Sequence, residues 1–318
     1  MRRVYSEGVP LGALVDAPVL EALARRSIQL LAAVRPGEEA LAATLGERAR
    51  GLGLSLGLWP MLGDAEGRWL GPENAPAYGA FVEGVLAAAG ALDTMVLDLE
   101  PPIAEVRALV DGRLGAARAW LAREPSREVH DALVGALAAR GVESFAAVVP
   151  LTLYEGRAGR GWQRALGTPV DGVAYAKVSP MLYTTLFEGY GFGVVRRDDA
   201  RDLLRRYAAL AVLRLGSRAS ISLGAVGPGA LGDERTYRAP EELVEDVAIA
   251  LGAGARDLTL FDLAGVLARP PIERWLDALC GLDAAAPPPV TARAIAIDAA
   301  ARATGVALAV AGRLATSS

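Results

Sequence analysis

Leu52-Gly53-Leu54-Ser55-Leu56-Gly57-Leu58-Trp59 carries leucine at every even position and a small residue or tryptophan at every odd one. Alternate side chains of an extended strand point to opposite faces. The stretch therefore predicts a strand with one leucine face and one face of Gly, Ser, Gly and Trp. Such a strand suits the wall of a closed barrel. Its leucines would meet an outer shell of helices, its small residues would leave room in a crowded centre, and Trp59 would arrive at the mouth. A strand in an open sheet with one leucine-lined face reads the same way, so the decision falls to what repeats along the chain.

Seven further apolar runs flank this one. Candidate strands lie at 3–6, 27–34, 53–59, 94–99, 144–151, 172–179, 219–226 and 257–263. Segments able to form helices separate most of them, at 38–52, 77–91, 103–121, 199–215 and 240–251, with a shorter interval at 11–26. That alternation is the pattern of βα units around a parallel sheet. A doubly wound open sheet is the main rival, but its usual glycine-rich first turn is missing. The expected fold is α/β, a (β/α)₈ TIM barrel over residues 1–282. A Pro-rich linker follows at 283–290, then a helical tail at 291–318. The tail is expected to pack on the barrel or on a second subunit, with a membrane-surface role as the alternative.

Composition narrows the function classes. Over 318 residues the hydrophobic fraction is 53% and the net charge is −4. With no basic surplus to neutralise phosphates, nucleic acid is not an expected partner. Cys280, the one cysteine, can form no internal disulfide, and no apolar stretch reads as an obvious membrane span. No apolar run follows the charged N-terminus, so a cytoplasmic location is the expectation; a secreted chain trimmed of its leader would read the same. One cysteine and one histidine, His130, cannot build a zinc site of the usual type, and no cofactor is expected. His130 itself is expected on a helix surface within 127–139. Glu7, Asp98 and Glu100 are the acids a Mg²⁺ ion would use, although no spacing singles them out.

The fourth strand holds the chemistry. In Thr94-Met95-Val96-Leu97-Asp98-Leu99-Glu100-Pro101-Pro102 the apolar residues Met95, Leu97 and Leu99 share one parity. Asp98 and Glu100 share the other, so both should point into the barrel at its C-terminal mouth, just before the prolines end the strand. Two close carboxylates in a partly desolvated cleft repel, which raises at least one pKa and readies a general acid. The alternative is a polar plug, with the acids paired to an arginine such as Arg35.

This stretch resembles the fourth-strand signature of glycoside hydrolase family 18, the chitinase-like barrels. Asp93 matches its first aspartate, Asp98 its penultimate acid and Glu100 its proton donor. Met181-Leu182-Tyr183 is similar to the family's Met-x-Tyr after strand six. The sequence departs from the signature at Thr94, Val96, Leu99 and Phe261, the last standing where a floor tryptophan is expected. The resemblance implies cleavage of an oligosaccharide, one containing N-acetylhexosamine. Glu100 would protonate the glycosidic oxygen, Asp98 would orient the attacking acetamido group and Tyr183 would bind its oxygen. Trp59, Tyr154, Met181, Lys177 and Phe261 complete the expected substrate site, with Trp69 and Tyr190 as further ring platforms. Gly189–Gly193 could be a lid or a tight turn.

Two other readings stay open. Lys177, the only lysine, shares a face with Tyr175 and Ser179, and inside a barrel it could form a Schiff base in a lyase or aldolase. Its plainer role is an ion pair with Asp98 or Glu100. The third reading is a barrel that binds a sugar or a partner without turnover.

Overall fold

The computed structural model describes residues 1–90, 92–110, 123, 127–155, 161–191, 193–283 and 287–316. Eight parallel strands form it: β1 (Arg2–Ser6), β2 (Ile28–Val34), β3 (Leu56–Pro60), β4 (Thr94–Leu99), β5 (Glu143–Val148), β6 (Lys177–Pro180), β7 (Ile221–Gly224) and β8 (Leu258–Phe261). Their order is β6-β5-β4-β3-β2-β1-β8-β7, and the ends meet through parallel bridges from Val178 to Ala219 and from Met181 to Ser222. The chain is a (β/α)₈ barrel followed by a long C-terminal helix.

The alternation in β3 works as its sequence predicts. Leu54, Leu56 and Leu58 lie in the large core between strands and helices, whereas Trp59 joins the inner cluster with Tyr5, Leu31, Val96 and Phe145. Gly57 is required here, since a Cβ at that position would come within 2.5 Å of the Leu31 side chain. β4 obeys the same rule: Met95, Leu97 and Leu99 face the helices, and Val96 faces inward.

β6 is shorter than expected and begins at Lys177, because 172–176 runs as turns and irregular chain. Tyr175 is therefore not an inward strand residue; it reaches into the helix layer, where its hydroxyl lies 2.7 Å from His130 Nδ1. His130 is consequently buried rather than on the surface, and burial lowers its pKa to about 4. The predicted helix 103–121 is seen as Ile103–Val110, and its remainder lies outside the described residues.

Polar side chains close the N-terminal end of the barrel. Arg3, 2% exposed, donates to Gln29 Oε1 at 2.7 Å, pairs with Glu143 at 2.7 Å and also pairs with Asp257. Gln29 Nε2 donates in turn to Thr94 Oγ1 at 2.9 Å and to Ser55 Oγ at 3.0 Å. Asp93, the first acid of the fourth-strand motif, accepts from Ser55 Oγ at 2.7 Å and from Leu56 N at 3.0 Å. It ties β3 to β4 at this end.

The tail helix Ala292–Thr316 lies on the barrel's outer side. Trp162 Nε1 donates to Ala301 O at 2.9 Å, Tyr154 OH donates to Asp298 at 2.5 Å, and Arg293 pairs with Asp199 at 2.6 Å. Its closest approach falls at Gly161, where a Cβ would meet Gly305 O at 2.0 Å. Ala292–Arg313 is long and apolar enough, by length and composition, to cross a membrane, with mean hydropathy 1.6. That match is one of length and composition alone, and no strong span results. The charges that break the run are spaced widely enough to leave an apolar window.

Candidate active site

A cavity of about 350 Å³ opens at the C-terminal ends of the strands. Tyr5 and Glu7 enter it from β1 and its following loop, Trp59 from β3, Asp98 and Glu100 from β4, and Met181 and Tyr183 from the end of β6. Ala225 and Phe261 close it from β7 and β8. Six predicted contacts, Asp98, Glu100, Tyr183, Met181, Trp59 and Phe261, thus share one cavity. Trp69 and Tyr190 line it as well.

Rings shape its floor. Tyr183 stacks on Phe261 with centroids 5.5 Å apart, and Tyr5 lies 5.1 Å from Trp59. The Tyr5 hydroxyl is 3.2 Å from Ser222 Oγ, itself 2.8 Å from Ser179 Oγ, so a short polar chain crosses the barrel below the acids.

Asp98 is 2% exposed, and its Oδ1 has no hydrogen-bond partner. The carboxyl groups of Asp98 and Glu100 are neighbours at the end of β4, close enough that each alters the other's titration. Burial raises the Asp98 pKa well above the carboxylate range, and the neighbouring charges of Glu100 and Glu7 raise it further. Glu100 is pushed up to about 8, again by burial first and by Glu7 second. The pair therefore retains a proton at neutral pH. Such coupled groups lose their protons as a unit.

Glu7 is the residue whose part sequence reasoning missed, beyond its mention as a metal ligand. The signal was available: Arg3, Tyr5 and Glu7 share one parity at the start of the chain, which points Glu7 inward at the mouth. Arg68 was missed altogether. It pairs with Glu7 at 2.8 Å and with Asp64 at 2.6 Å. Arg68 sits at φ 63°, a region that costs a non-glycine residue on the order of 1–3 kcal/mol. Arg35 serves differently from its expected role, donating to the backbone oxygen of Glu7 at 3.3 Å. Arg68 is the cation that lowers the pKa of both Asp98 and Glu100, yet its ion pairs go to Glu7 and Asp64. Among the described residues, no group of three or more His, Cys, Asp and Glu side chains is arranged to hold a metal ion.

Two predicted contacts fall elsewhere. Lys177 faces inward, but it begins β6 and so lies at the N-terminal end. Its ammonium donates to Ser217 O at 2.8 Å and stands 3.6 Å from Asp257, not beside Asp98 or Glu100. It lines a separate polar cavity with Arg3, Glu143 and Asp257. Tyr154 turns outward, holding Asp298 of the tail helix and packing 5.3 Å from Tyr207. Part of the 189–193 loop, residue 192, lies outside the described residues.

No family model matches the chain, and no curated protein does. Solved structures are similar in fold, and those described here are glycoside hydrolases. One is the glycoside hydrolase domain of PgaB (BpsB) from Bordetella bronchiseptica, 15% identical with a TM-score of 0.52; the match covers 87% of this chain and 98% of that one. Another is a GH5_18 protein from Bifidobacterium longum subsp. longum, solved in complex with Manβ1-4GlcNAc. It is 13% identical with a TM-score of 0.50, the match covering 82% of this chain and 69% of that one. At these identities the likeness is one of fold alone, the (β/α)₈ barrel.

Proposed function

We propose that the protein hydrolyses a glycosidic bond in the strand-end cavity, with Glu100 as general acid and Asp98 assisting. The observation that carries this reading is the pair of carboxyl groups, Asp98 and Glu100, set together at the strand ends in a cavity walled largely by carbon, with burial pushing Glu100 up to about 8. A protonated carboxyl there can deliver its proton to a leaving oxygen, and a barrel's strand ends are where such chemistry is found. The fold shared with glycoside hydrolases favours the same reading.

The finer reading is an N-acetylhexosamine substrate. The Glu100 O–H proton passes to the glycosidic oxygen as the bond from that oxygen to the anomeric carbon breaks. The acetamido oxygen forms a new bond to the same carbon, giving an oxazolinium that Asp98 stabilises while Tyr183 binds the acetamido oxygen. Water then attacks the anomeric carbon as its bond to the acetamido oxygen breaks, restoring the acetamido group, and one water proton returns to the Glu100 carboxylate. This substrate-assisted route needs no carboxylate nucleophile. The Schiff-base alternative loses support, because Lys177 lies at the far end of the barrel from this cavity.

The test compares Glu100→Gln and Asp98→Asn on natural and activated substrates. General acid catalysis contributes ~10²–10⁴-fold, so Glu100→Gln should lose about that much on an N-acetylhexosamine oligomer. An aryl glycoside, whose leaving group needs less protonation, should partly rescue Glu100→Gln but not Asp98→Asn. If the unmodified protein cleaves neither substrate yet binds sugar, and both variants bind equally well, a binding role replaces the catalytic one.

A further inference from the structure

The strand-end cavity is chemically divided. Three of its acids, Glu7, Asp98 and Glu100, come from the β1 and β4 ends and are joined by Tyr183, while a fourth, Glu234, follows β7. The opposite wall is built from segments that follow β4 to β7: Val106, Leu151, Leu166, Leu186, Phe187 and Leu231. All but Leu166 are only half-buried, so they present hydrocarbon to whatever enters. Among the described lining residues there is no Asn, Gln, Ser, Thr, Lys, Arg or His. The free polar atoms cluster at the acid side, where Trp59 Nε1 and Asp98 Oδ1 are buried without a protein partner.

A sugar ring carries hydroxyls around its edge, and each one taken from water without a partner weakens binding. The acid side offers enough donors and acceptors for one such ring. The far wall offers no amide or cationic side chain, and its polar groups, the Tyr190 hydroxyl and the Glu234 carboxylate, are already engaged with Asp233 and with the backbone N–H groups of Leu231 and Gly232. A volume of about 350 Å³ lies at the small end of ligand pockets, room for one ring and a short apolar group.

Building on the hydrolase reading, we propose that the substrate is an amphiphilic glycoside: one sugar at Asp98 and Glu100, and a hydrocarbon aglycone against the wall of Val106, Leu151, Leu186 and Phe187. The bond cleaved joins the sugar to an alcohol of low polarity. That alcohol leaves with the Glu100 proton, and the balance of atoms is that of the hydrolysis above.

The experiment is a calorimetric titration of the Glu100→Gln protein with alkyl β-glucosides and alkyl N-acetyl-β-glucosaminides. Ethyl, butyl, hexyl and octyl members are used below their micelle concentrations, beside di- and trisaccharides of the same sugars. Burial of each methylene strengthens binding about threefold, so affinity should climb steeply from ethyl to hexyl. Leu151→Asn and Leu186→Asn should flatten that slope, with near-ultraviolet circular dichroism checking their fold. A flat slope in the unaltered wall, or a trisaccharide that binds more tightly than the hexyl glycoside, overturns the proposal. Release of alcohol by the wild-type protein is scored separately. A steep slope without release keeps the hydrocarbon subsite and removes the hydrolase. Cleavage of oligosaccharides with a flat alkyl series keeps the hydrolase and removes the subsite.

Discussion

At the N-terminal end of the barrel interior, Arg3 is flanked by Glu143 and Asp257, with Gln29 and Thr94 taking up the remaining hydrogen bonds. At the C-terminal end, Asp98 is buried with Glu100 half-buried beside it, both pushed up by desolvation, while the nearby Arg68 is held by Glu7 and Asp64. Both ends bury carboxylates inside one barrel. One end neutralises them with cations and the other with protons. An acid paired with a cation stays ionised and locks strands together, whereas an acid left to desolvation keeps a transferable proton. The contrast gives the N-terminal end a structural part and fits the reactive part proposed for the other.

Breaking the structural end should have the largest effect. Arg3→Ala strands Asp257 and Glu143 without their guanidinium, and removing one partner of a buried pair costs roughly 3–5 kcal/mol. Urea unfolding should record that loss while the activity per folded molecule stays near wild type. A loss below about 1 kcal/mol would remove the distinction between the two ends.

The reactive end should respond in the opposite sense. The raised Glu100 carboxyl binds its proton more tightly folded than unfolded. That linkage adds stability below the ordinary carboxylate range, and the stability is lost as pH rises through about 8. Glu100→Gln escapes this loss. At pH 8 the variant should melt higher than wild type by roughly 3 °C or more, and at pH 4 the two should converge. A variant that melts lower at pH 8 would contradict the assignment.

A subtler change tests Glu7. Its charge raises the pKa of both Asp98 and Glu100, so Glu7→Gln should lower them. The alkaline limb of the rate profile, set by loss of the Glu100 proton, should move to lower pH. Arg68→Gln removes an opposing positive charge and should move the same limb upward. Identical limbs in all three proteins would mean that Glu7 does not tune the pair.

The smallest effect belongs to Lys177. Its ammonium is partly exposed and 3.6 Å from Asp257, an arrangement worth on the order of 0–1 kcal/mol. Lys177→Met should leave activity unchanged and stability almost so. A large loss of activity would return Lys177 to the chemistry.

Much of this was legible in the residues because alternation encodes the face a side chain occupies. The leucines of β3, the apolar trio of β4, and the inward direction of Asp98, Glu100 and Lys177 all follow from parity. Parity does not encode height along the barrel axis. Lys177 and Met181 are four residues apart on one side of the same segment, yet one begins β6 and the other ends in the mouth. What sets that height is the pairing of Phe145 with Lys177 across β5 and β6, a relation between distant segments.

The sequence by itself determined the eightfold βα order, the inward faces and the carboxyl pair at a strand end, because these depend on neighbours two to four residues away. Only the tertiary structure decided that Tyr154 serves the tail helix, that Lys177 belongs to the closed end, and that Arg68 answers Glu7 rather than the catalytic candidates. Each of those partnerships spans tens of residues or more, from 40 between Lys177 and Ser217 to 144 between Tyr154 and Asp298. The protonation of Asp98 and Glu100 belongs with them, since it is set by how much water the folded walls exclude and by which charges they bring near.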